Sequence, residues 1–158
     1  MAKPSVSTVR SAIKTRLASA YTGTAWHAYA KVYGNELMPA FIIHPVPRTG
    51  GWYDGRASDG TDGGCPIWYS FVVEVWAPTG GGVDKAEDMM DRIISPLGTD
   101  SLSIEKALED IAGTYAGDAL DTLASSIKVD QFQSRAFGSL NSSESDAIVA
   151  RIPVEVIC

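Results

Sequence analysis

The stretch Trp68–Trp76, WYSFVVEVW, restricts the fold more than any other part of the chain. Aromatic and β-branched side chains dominate it, which suits a pleated surface. Alternation puts Tyr69, Phe71, Val73 and Val75 on one face, and Trp68, Ser70, Val72, Glu74 and Trp76 on the other. Both sets are largely apolar, so the strand needs cover on both faces and is expected at the centre of a sheet. Pro78 and the run Gly80-Gly81-Gly82 end it.

Other segments supply its neighbours. Val6, Val9, Ile13 and Leu17 recur at helical spacing within Ser5–Ala20, with Arg10, Lys14 and Arg16 largely on other faces. Ser5 or Ser7 suits the cap of this helix, and Gly23 ends the segment. Trp26–Val32 is β-prone and leads to a turn at Gly34-Asn35, and Ala40–His44 is a short buried strand between Pro39 and Pro45. Asp84–Ile94 reads as a second helix with a stripe of Ala86, Met89, Met90, Ile93 and Ile94, its acidic first turns matching the helix dipole. Pro96 and Gly98 break it, and Asp100 or Ser101 is expected to cap a short helix over Ser103–Asp110. Ser125–Arg135 and Ala147–Ile157 form a hairpin with a polar tip. The second strand keeps Ile148, Ala150, Ile152, Val154 and Val156 on one face.

The order predicts an α+β fold: a mainly antiparallel sheet of four to five strands, with the N-terminal helix and the broken central helix on one face. No repeat or linker divides the chain, so residues 1–158 read as one domain. Two protrusions stand out. The loop 47–64 is rich in glycine and nearly free of aliphatic side chains, and the hairpin tip spans 137–146. Long loops on compact domains are commonly functional.

Composition narrows the function classes. The net charge of −6 argues against clamping nucleic acid through its phosphates. No apolar run approaches the ~20 residues that span a bilayer. The first residues, MAKPSVSTVR, lack the apolar segment of a secretion signal, which places synthesis in a cytoplasm. In that compartment Cys65 and Cys158 read as thiols rather than a disulfide framework.

A search for chemistry finds no constellation. His27 and His44 lack accompanying ligands at zinc spacing, no serine lies in a G-x-S-x-G elbow, and the glycine run lacks the Lys-Ser/Thr of a phosphate loop. Asp54, Asp59 and Asp62 do not follow the calcium-loop spacing and read as turn residues. No catalytic group, metal or cofactor is therefore expected. Trp26, Tyr29, Trp68 and Trp76 read as packing residues rather than a base-stacking platform. Trp52 and Tyr53, on a loop with no core of its own, read as anchors for a neighbouring subunit.

The order VRSAIKTRLASAY, MPAFIIHP, IWYSFVVEVWAP, DKAEDMMDRIISPLG, DSLSIEKALED and a terminal hairpin resembles the tail terminator (tail completion) proteins of long-tailed phages, especially those of actinobacteria. The likeness covers nearly the whole chain. It includes a Gly-x-x-Ser-x-x-x-Ala-Leu segment after a helix, here Gly98, Ser101 or Ser103, Ala107 and Leu108. The chain departs from the family in the length of its arm between strands. The resemblance implies a homo-oligomeric ring, usually of six subunits, in the virion neck. Such a ring caps the head-proximal end of the tail tube, stops its polymerisation and docks to the head–tail connector or stopper proteins. Its parts assemble in the host cytoplasm. Genomic DNA passes through the lumen without specific binding, and no membrane is involved.

On that reading Arg48, Trp52, Tyr53, Arg56, Phe137 and Leu140 are candidate subunit or partner contacts, and Asp59, Asp62, Glu144 and Asp146 are candidate lumen-facing charges that repel DNA phosphates. The alternatives are another neck component, such as a head–tail joining or stopper protein, and a small ligand-binding or enzymatic domain built around the long loop.

Overall fold

In the computed structural model, strand β3 (Trp68–Pro78) has a partner on each edge, as its apolar sequence requires. The structure describes residues 4–34, 36–46, 67–130, 134–138 and 147–158. On one side β3 pairs antiparallel with β2 (Ala40–Pro45), and β2 in turn pairs parallel with the three-residue β1 (His27–Tyr29). On the other side β3 pairs antiparallel over its full length with β6 (Ala147–Ile157). The outer edge of β6 carries β4 (Ser126–Val129) and β5 (Ser134–Gly138), both antiparallel. The sheet is therefore six-stranded, mixed and mostly antiparallel.

Two expectations about strands are corrected. The β-prone segment Trp26–Val32 contributes only β1, because the chain then leaves the sheet for an irregular loop. The expected strand Ser125–Arg135 is two strands. Five residue steps separate Val129 from Ser134, against three between their partners Val154 and Arg151. Two extra residues thus interrupt the ladder and raise the strand count above the expected four to five. Phe137 is also part of β5 rather than of the hairpin tip.

One face of the sheet carries the helices. The side chains of Phe41, Ile43, Phe71, Val73, Val75, Ile152 and Val154 meet Val9, Ile13 and Leu17 of α1 (Val6–Ala20) and Met90 and Ile93 of α2 (Val83–Ile94). The core continues into Ile104 and Leu108 of α3 (Ile104–Glu109) and Leu120 of α4 (Ala119–Leu123). Burying these side chains supplies the main driving force for folding. The other face holds a smaller cluster of Ala40, Ile42, Trp76 and Ala147, flanked by Tyr29, Met38 and Val149. This second cluster is why β3 is apolar on both faces.

Ser5 caps α1 by accepting the Thr8 N–H at 3.1 Å. Ser103 bridges the α2–α3 break with two hydrogen bonds. Ser103 Oγ accepts the Lys106 N–H at 3.4 Å, capping α3, and donates to the Ser95 carbonyl at the end of α2 at 2.6 Å. Ser103 therefore caps α3 in place of the expected Asp100 or Ser101. Asp100 instead accepts the Leu102 N–H and pairs with Arg92 at 3.0 Å. The short helix α4 has no counterpart in the sequence reading.

Candidate docking surfaces

A buried arginine organises the part of the chain that sequence periodicity leaves blank. Arg16, expected off the apolar stripe of α1, lies with Val9, Ala12, Ile13 and Leu17 on the buried side of the helix, and only 2% of it is exposed. Its guanidinium forms a two-point bond with the Asp118 carboxylate, with Nη2 donating to Oδ1 at 2.6 Å. Nη1 donates to the Ala107 and Leu108 carbonyls at 3.4 and 3.3 Å, at the end of α3, and the guanidinium carbon lies 4.9 Å from the Tyr115 ring centre. Asp118 also caps α4 through the Asp121 N–H. The Arg16 hydrogen bond holds the Asp118 carboxyl below the ordinary aspartate range. One side chain thus ties α1, α3 and α4 together. The expectation that Arg16 faces away from the core fails because its position, seven residues after Val9 and three after Ile13, is on the buried side of α1, where the segment after α3 covers it.

Above this hub lies a cavity of about 580 Å³, lined by Tyr21, Leu97, Asp100, Lys106, Ile111 and Tyr115 among others. Tyr21 donates to the Leu102 carbonyl at 2.6 Å, and burial pushes its phenol above the ordinary range. Asp110 accepts the N–H groups of Thr114 and Tyr115 at 2.8 and 2.7 Å, so its oxygens serve the loop.

The two ends of the sheet expose apolar side chains of different kinds. At the β1 edge, the loop to β2 presents Val32, Tyr33 and Leu37, exposed by 60, 62 and 61%. The loop is built rather than loose. The buried Glu36 carboxylate accepts the N–H groups of Tyr33 and Gly34, the latter at 3.1 Å. Burial opposes ionisation of Glu36, but these backbone N–H groups and its own outweigh it and hold its carboxyl below the ordinary range. The Tyr29 hydroxyl accepts the Leu37 N–H at 3.0 Å, and the Tyr29 and Tyr33 rings lie 6.2 Å apart, which fixes the loop onto β1.

At the opposite edge, Phe137 of β5 lies across from Ile148 on the helix-bearing face but is 63% exposed, so the helix layer does not cover it. Further along this edge, at the register offset between β4 and β5, is a pocket of about 410 Å³. The buried side chains of Ile104, Val129 and Ile152 line it together with the carboxylates of Glu105 and Asp130.

The helix-free face bears a polar row beside its apolar cluster. His44 Nε2 lies 2.6 Å from one Glu74 oxygen, and Arg151 donates to the other at 3.0 Å. Glu74 and Arg151 are directly paired across β3 and β6, and His44, whose own partner is Val72, reaches Glu74 diagonally from β2. Next to it, Trp76 is 9% exposed and its buried indole N–H has no acceptor among the described residues. The indole packs beside Gly138, where an added Cβ would lie 2.9 Å from the Val149 side chain and 3.2 Å from the Trp76 ring.

Of the candidate contact residues, Phe137 is placed at an exposed sheet edge. Arg48, Trp52, Tyr53, Arg56 and Leu140 lie outside the described residues, as do Asp59, Asp62, Glu144 and Asp146. Asp54, of the calcium comparison, lies outside them too. Among the described residues no group of three or more His, Cys, Asp or Glu side chains is placed to hold a metal ion, and no helix is long and apolar enough to cross a membrane. The exposed loop with Val32, Tyr33 and Leu37 is absent from the sequence reading. Its signal was there: large apolar side chains flanking the turn at Gly34-Asn35, with no periodicity that would bury them. Comparison with known proteins finds no family model that matches the chain and no match among curated proteins.

Proposed function

We propose that the chain is a structural virion protein, a tail terminator that forms a ring on the head-proximal end of a phage tail tube. In this role it stops tube polymerisation and presents a docking surface to the head–tail connector. One observation carries the reading: two unlike apolar surfaces at opposite edges of one sheet, Val32, Tyr33 and Leu37 at one end and Phe137 at the other. Unlike surfaces at opposite ends suit head-to-tail association, which closes into a ring when the rotation per subunit divides a full turn. The family resemblance suggests six subunits. The acidic balance of the chain, −6 overall, suits a ring through which DNA slides without sticking. The proposed lumen charges are Asp59, Asp62, Glu144 and Asp146, and the proposed further contacts are Arg48, Trp52, Tyr53, Arg56 and Leu140. No residue is assigned a catalytic role.

The test is electron microscopy of particles from a host infected with phage carrying a nonsense mutation in this gene. Abnormally long tails detached from filled heads are expected. Tails of normal length beside heads that leak or fail to join would move the chain to the connector side of the neck. Normal infectious particles would refute both placements.

The cavity of about 580 Å³ favours a second reading, a ligand-binding domain, because its volume lies in the range of small-molecule sites. A thermal-shift screen with nucleotides and metal ions separates the two, since a ligand of the native state raises the melting temperature.

A further inference from the structure

We infer that the loop tip of Val32, Tyr33 and Leu37 on one copy of the chain docks into the pocket of about 410 Å³ on the next copy, with Lys31 meeting Glu105 and Asp130. The inference rests on the ring reading and names the contact that builds it. Topology comes first. The loop is fixed to β1 at one end of the strand order, and the pocket borders β4 at the other end. Tip and pocket are therefore different patches on different edges, as a head-to-tail contact needs.

Chemistry agrees with the placement. The tip offers three large exposed apolar side chains on a backbone already ordered by Glu36, so docking orders little further chain. The pocket offers an apolar floor of Ile104, Val129 and Ile152. Charge selects the partner. Lys31 is exposed next to the tip and has no ionic partner among the described residues. The described lining of the pocket contains two carboxylates, Glu105 and Asp130, and no cation. Glu105 is partly engaged, accepting the Leu97 N–H at 2.8 Å. Lys128 reaches Asp130 only at 3.5 Å, in a solvent-exposed pair of the kind that contributes little and is readily exchanged. A cationic, apolar tip thus meets an anionic, apolar pocket, and the complementarity lies between copies rather than within one.

The test uses the full chain with Cys65→Ser and Cys158→Ser. Two variants of it, one with Lys31→Cys and one with Asp130→Cys, are oxidised separately and then as a mixture. Covalent dimers are expected from the mixture and not from either variant alone. In the wild-type background, Lys31→Glu and Asp130→Lys are each expected to weaken self-association in sedimentation by ~10-fold or more, and the two changes in one chain are expected to restore most of it. Both side chains are exposed, so circular dichroism is expected to show the fold intact in every variant. Oligomers that form without the mixed cross-link, and without charge-swap rescue, would place the contact elsewhere and leave the ring standing. Wild-type chain that sediments as a monomer at every accessible concentration would overturn the contact and the ring together.

Discussion

Replacing Arg16 with methionine removes the guanidinium but keeps an unbranched stem in the same space. The loss has two parts. The first is the two-point bond to Asp118. Hydrogen bonds to charged groups contribute about 1.5–3 kcal/mol, and the lower end applies because the Asp118 side chain is 26% exposed and recovers some water. The second is the pair of carbonyls, Ala107 and Leu108, left without a donor. Their bonds to Arg16 are long, so together they add about 1 kcal/mol. The apolar methionine stem offsets little of this, since Arg16 already packs its own methylenes. The expected cost is about 2.5 kcal/mol, a large share of the ~5–15 kcal/mol that stabilises a domain. Urea denaturation of wild type, Arg16→Met, Asp118→Asn and the double variant measures it. Because the two residues share one interaction, the double variant is expected to lose less than the sum of the singles. Acid titration adds an independent check. The folded Asp118 pKa is depressed below its ordinary 3.8, so its contribution is fully present above that value and is lost as pH falls through the folded pKa. Glu36 and Asp100 are also depressed and act on both proteins alike. The stability difference between wild type and Asp118→Asn therefore narrows below about pH 4. An Arg16→Met cost under about 0.5 kcal/mol, or strictly additive singles, would refute the hub.

Phe71, 1% exposed at the centre of the helix-bearing face, is expected to cost about 3–5 kcal/mol when changed to alanine, read from the urea midpoint. Gly138→Val forces a branched side chain against Val149 and the Trp76 indole, and is expected to cost about 1–3 kcal/mol and to shift tryptophan fluorescence. An unshifted spectrum with unchanged stability would refute that close approach. Glu36→Ala removes the acceptor for Tyr33 and Gly34 N–H, so limited chymotrypsin digestion is expected to cut at Tyr33 faster than in wild type while the global melting temperature moves by only a few degrees.

The central strand and the apolar faces of β2 and β6 were legible in the sequence because period-2 alternation survives wherever a strand is half or wholly buried. The helices α1 and α2 were legible for the matching reason, an apolar stripe at period 3.6. What escaped was set by single polar side chains. Arg16 reads as a surface residue by type, and its burial is made tolerable by partners far away in sequence, Asp118 above all. The five-residue α4 is too short for a periodic signal and depends on its Asp118 cap. Ser103 displaced Asp100 as the cap of α3 because it also reaches the Ser95 carbonyl, a contact across the break that no local pattern encodes. Among the candidate contacts, Phe137 is legible as exposed because nothing near it in sequence completes an apolar stripe. The tip at Val32, Tyr33 and Leu37 is set by a buried carboxylate folding a loop, which composition alone reads as plain turn.

The offset between β4 and β5 has a consequence for how this sheet edge tolerates change. Side chains alternate along a strand, and the partners Val154 and Ile148 are an even number of residues apart on β6, so Val129 and Phe137 both lie on the helix-bearing face. Length changes in pairs between these strands are compatible with that arrangement. A change of a single residue that the interruption does not absorb turns β5 over. Phe137 then points to the side of Trp76, and Gly138 no longer sits beside the indole that needs its missing side chain. The edge thus tolerates drift in length by twos more readily than drift by ones.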